Sequence, residues 1–78
     1  MREQKDYCIF TFHTTTDAIA FEMSCKEEGM AGRMIPVPRQ ISAGCGLAWR
    51  AEPEQKSGLC RLAKERELQF AAVGIYKI

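Results

Sequence analysis

A chain of 78 residues with 46% hydrophobic and 27% charged residues has enough apolar content for one packed core, but a domain this small buries only roughly 60% of its unfolded surface. That favours a shallow site or a binding face over a deep catalytic cavity. The net charge of +1 points to neither a nucleic-acid nor a membrane-surface partner. The apolar stretches Tyr7–Phe12 and Phe70–Tyr76 are far shorter than the ~20 residues that cross a bilayer.

The segment Met1–Asp6 leads straight into a strand pattern with no apolar leader region, so a cytoplasmic address is expected. Tyr7–His13 is aromatic and β-branched, and period two sets Cys8, Phe10 and Phe12 on one face. Thr14, Thr15, Thr16 and Asp17 then offer capping hydroxyls and an acid suited to a helix N-terminus. The helix they start runs to about Glu28. Ala18, Phe21 and Cys25, with Ile19 beside them, form its apolar stripe, and Gly29 is the stop. Gly32 to Val37 reads as a second strand. Pro36 lies within it and Pro38 just beyond, and neither can donate a ladder hydrogen bond, so the strand belongs at a sheet edge.

Leu47–Arg50 reads as a short third strand. Pro53 suits a helix first turn, and Gln55, Leu59, Leu62, Ala63 and Arg66 recur at helical spacing, although Gly58 within that run costs about 1 kcal/mol relative to alanine. Gln69–Ile78 is the last strand, with Gly74 expected to mark a bulge. The order strand, helix, strand, strand, helix, strand predicts an α+β, ferredoxin-like βαββαβ sandwich spanning 1–78: a four-stranded antiparallel sheet with two helices on one face. The other face would be bare, with Tyr7, Ile9 and Trp49 exposed on it as a partner surface.

Cys8, Cys25, Cys45 and Cys60 are widely spread, with no C-x-x-C pair. Neither a disulfide framework nor a metal site is expected, and no cofactor is called for. Cys45 stands apart because Gly44 and Gly46 flank it, leaving no neighbouring side chain to shield the sulfur. An ordinary thiol with a pKa near ~8.5 is only a few per cent ionised at pH 7, so a reactive one needs positive surroundings. Arg39 and Arg50 bracket the loop, backbone N–H groups around Gly44 and Gly46 would form an anion-holding nest, and Ser42 would donate a hydrogen bond. The bland reading makes Gly44-Cys45-Gly46 a tight connection with an incidental cysteine, Arg39 a solvated charge and Ser42 a turn-former. His13 lies at a strand end with no carboxylate nearby in sequence, which suits a surface residue.

Ile35-Pro36-Val37-Pro38-Arg39, Ile41-Ser42 and Cys45-Gly46-Leu47-Ala48, with Ala18, Glu22, Gly29 and the closing Gly74-Ile75-Tyr76, carry a resemblance. Across most of its length the chain resembles the small family of selenium/sulfur carrier-like proteins, long catalogued as a domain of unknown function. The resemblance implies a carrier or accessory protein more than a stand-alone enzyme. It would hold sulfur or selenium on Cys45 as a persulfide or selenopersulfide, with a cysteine desulfurase or sulfurtransferase-type protein as partner. Two other readings stand beside it: a protein–protein interaction module in which Cys45 is structural, and a thiol redox sensor pairing Cys45 with a second cysteine within about 7 Å between α-carbons.

Overall fold

A computed structural model describes residues 4–41 and 45–78. The elements are β1 (Asp6–Thr11), α1 (Thr15–Glu28), β2 (Arg33–Pro36), β3 (Leu47–Ala51), α2 (Lys56–Glu65) and β4 (Ala72–Lys77), with a 3₁₀ turn over Pro53–Gln55 leading into α2. All strand pairings are antiparallel and the sheet order is β2-β3-β1-β4, the ferredoxin-like arrangement. β1 and β3 are central and the proline-bearing β2 is an edge, as expected.

Local chemistry explains where α1 begins and ends. The Thr14 side chain accepts the Asp17 N–H at 3.1 Å, capping the helix. Gly29 closes it at φ 68°, where its left-handed turn lets the Met30 N–H reach the Cys25 carbonyl at 2.8 Å. The buried stripe of α1 is Ala18, Phe21, Ser24 and Cys25, while Ile19 points away and is 47% exposed. α2 runs through Gly58 and buries Leu59, Leu62 and Ala63. Arg66, just past its end, pairs with Glu27 and Glu28 at the end of α1, clasping the two helices at the surface.

Both helices pack on the sheet face formed by Cys8, Phe10, Trp49 and Ala51. Phe21 is the hub of an aromatic cluster, with ring centroids 4.8 Å from Phe10, 5.3 Å from Phe12 and 6.0 Å from Trp49. Phe70 adds an edge-on contact to Phe10 at 5.1 Å.

Three expectations need correction. Trp49 pairs with Phe10 in register and is 2% exposed, so it lies in the helix-side core and not with Tyr7 and Ile9. Gly74 sits opposite Ile9 in an unbroken ladder, without a bulge. The Tyr76 ring lies over it, so a Cβ there would come within 3.1 Å of that ring. Finally, the helix-free face is not bare. Ile9, Thr11 and Ala48 point to it and are buried. Val37 and Ile41 are half-buried outside the helix-side core, and Gln40 Nε2 donates to the Lys77 carbonyl on the far edge strand at 3.1 Å. The segment after β2 therefore straps across this face.

Candidate functional site

The strap begins where the β2–β3 ladder ends, with the Val37 N–H donating to the Gly46 carbonyl at 2.9 Å. A turn follows, closed by the Ile41 N–H donating to the Pro38 carbonyl at 3.0 Å, with Arg39 exposed at its tip. Ser42 and Gly44 lie outside the described residues, so their proposed roles have no geometry here.

Gly46 takes φ +80°, with nothing within 4 Å of where a Cβ would stand. That is the backbone freedom the flanking glycine was expected to supply. Beside it, Cys45 is half-buried, leans on the helix-side core and donates its thiol to the Leu47 carbonyl at 3.8 Å. A sulfur at that distance makes a weak contact. It holds the side chain loosely and does not lock it.

The family described as putative Se/S carrier protein-like matches residues 7–76. The chain belongs to that family. No curated protein and no solved structure matches it.

Within this Se/S carrier-like chain all four cysteines are free, and burial sorts them. Cys8 and Cys25 are fully buried, and burial pushes both thiols up to about 11. For Cys8 the neighbouring Cys60 adds to the rise and Lys56 opposes it; for Cys25 the Glu22 charge adds to it. A thiol held protonated and sealed from solvent is a poor nucleophile. Cys45 and Cys60 are only half-buried, which leaves two reachable sulfurs, one in the glycine-flanked loop and one on α2.

Two other residues singled out from the sequence are Arg50 and His13. Arg50 faces the helix-free side, its guanidinium 4.7 Å from the centre of the Tyr7 ring. Cys45, before the start of β3, leans instead on the helix-side core. His13 is exposed after β1. Among the described residues no helix is long and apolar enough to cross a membrane.

Proposed function

We propose that the protein is a sulfur or selenium carrier that holds the atom on Cys45 and hands it to a partner enzyme. The observation that supports this most is the sorting of the thiols: inside the family-matched span, Cys45 is a partly exposed sulfur next to an open, left-handed glycine, whereas Cys8 and Cys25 are sealed.

Loading is a thiol exchange. The Cys45 thiolate attacks the outer sulfur of a donor cysteine persulfide; the Cys45 S–S bond forms, the donor's S–S bond breaks, and the donor cysteine leaves as a thiolate. The proton of the donor persulfide stays on the transferred sulfur, so no external oxidant or reductant is needed. Unloading repeats the exchange in the other direction with an acceptor thiolate. Before attack the Cys45 sulfur must lose its proton and leave the Leu47 carbonyl, because a thiolate has no hydrogen to donate. In this reading Arg39 supplies positive potential at the loop. The Ser42 hydroxyl and the N–H groups of Gly44 and Gly46 stabilise the persulfide anion.

A donor of this kind is a cysteine desulfurase or sulfurtransferase-type protein. The protein itself then works as a carrier and accessory, in a thiol-reducing compartment such as the cytoplasm. Incubation with a cysteine desulfurase and free cysteine should add one sulfur to the intact mass of the wild type and none to Cys45→Ala. An equal addition to both would overturn the assignment.

A further inference from the structure

We propose that the corner of the helix-free face between β2 and β3 binds a tetrahedral oxyanion, a phosphate or sulfate group, at a site separate from Cys45. A concavity of about 250 Å³ opens there, and its lining includes Tyr7, Gly32, Arg33, Arg50 and Glu52. Arg33 and Arg50 are register partners on adjacent strands, so both side chains rise from the same face of the sheet. Like charges placed directly opposite each other destabilise a sheet.

Among the described residues neither arginine makes an ion pair, and Arg50 is instead steadied over the Tyr7 ring at 4.7 Å. Glu52, the acid in the lining, has Lys5 at 3.8 Å. Among the described residues the corner holds Lys5, Arg33 and Arg50 against Glu52. Two guanidiniums offering forked N–H pairs suit the edges of a tetrahedral oxyanion, and they suit it better than a single point charge does.

Gly32 lines the concavity with its backbone, and the crowding that keeps it a glycine comes from the Trp49 side. Gly32 takes φ +134°, and a Cβ there would stand 2.4 Å from Trp49 Nε1 and 2.8 Å from the Arg50 carbonyl oxygen. No side chain fits at this position, so backbone lines the cavity. Trp49 Nε1, behind Gly32 on the helix side of the sheet, is buried, has no acceptor among the described residues and does not line the concavity. The two guanidiniums at this corner, unpaired with any carboxylate among the described residues, leave a deficit that an acceptor-rich anion fills.

The site was not legible from the sequence, because the cross-strand register that pairs Arg33 with Arg50 is not contained in either strand alone. Its test is a two-dimensional amide NMR titration with inorganic phosphate, at ionic strength held constant with chloride. Saturable shifts are expected at the Gly32, Arg33, Arg50 and Glu52 amides. Arg33→Gln and Arg50→Gln should each weaken binding about tenfold or more while the β1 amides keep their native shifts. A parallel titration with adenosine 5′-monophosphate separates the sources: tighter binding than inorganic phosphate identifies a phosphate ester, and equal binding identifies the free ion. Shifts that chloride reproduces, that survive both arginine variants, or that acetate produces more strongly than phosphate would overturn the proposal. Running the same titration on Cys45→Ala keeps this site's fate distinct from that of the carrier reading.

Discussion

Gly29 and Gly32 both take positive φ, but they do so in different surroundings. Around Gly29 there is open space, so alanine there suffers only the backbone penalty of the left-handed region, about 1 kcal/mol. Alanine at Gly32 would also overlap the Trp49 indole and the Arg50 carbonyl. Gly32→Ala should therefore cost about 2 kcal/mol or more, clearly exceeding Gly29→Ala in urea denaturation. Equal midpoints for the two variants would mean that the Trp49 ring yields freely. The buried thiols make a second residue-level prediction. Their folded pKa of about 11 lies above the ordinary 9.0, so between those values the unfolded chain sheds protons that the folded one keeps. Stability should be full below about pH 9 and fall as pH rises toward 11, by roughly 2 to 3 kcal/mol for each thiol. Cys8→Ala and Cys25→Ala should each flatten that decline when denaturation is followed across this range. A wild-type midpoint that does not change with pH would contradict the burial argument.

At the level of elements, the sequence was most readable where local chemistry decides. The Thr14 cap and the Gly29 stop bound α1 as expected, because a cap is an interaction across three residues. Only one of the three threonines has that role, since Thr14 makes the bond to Asp17. Thr14→Ala should lower stability by about 1 kcal/mol, with Thr15→Ala and Thr16→Ala close to neutral; thermal melts of the three variants would reveal a different ranking. The edge position of β2 was readable for a similar reason, since proline removes a donor whatever the rest of the chain does. The facing of β3 was not. Leu47-Ala48-Trp49-Arg50 alternates, but which alternate set meets the helices depends on pairing Trp49 with Phe10, and register is a property of two strands. Gly74 misled in the same way: its role is to admit the Tyr76 ring, which depends on a side chain two residues on and not on a break in the ladder.

For the whole molecule, the helix-free face is where sequence reasoning was least complete. The strap is fixed by contacts such as Gln40 to Lys77, 37 residues apart, which no local pattern encodes. Ile9, Thr11 and Ala48 are buried on this face, and the arginine corner and Cys45 lie toward opposite ends of β3. For Cys45 the glycine neighbours gave an expectation of access, while the charges around a sulfur are set by the fold. The burial of Cys8 and Cys25 narrows the choice to Cys45 and Cys60. The most direct measurement is tandem mass spectrometry of the wild-type protein after desulfurase loading, with persulfides trapped by alkylation and mapped to single cysteines. The account predicts the added sulfur on Cys45, retained in Cys60→Ser and lost in Cys45→Ser. Sulfur found on Cys60, or still loaded in Cys45→Ser, would contradict it.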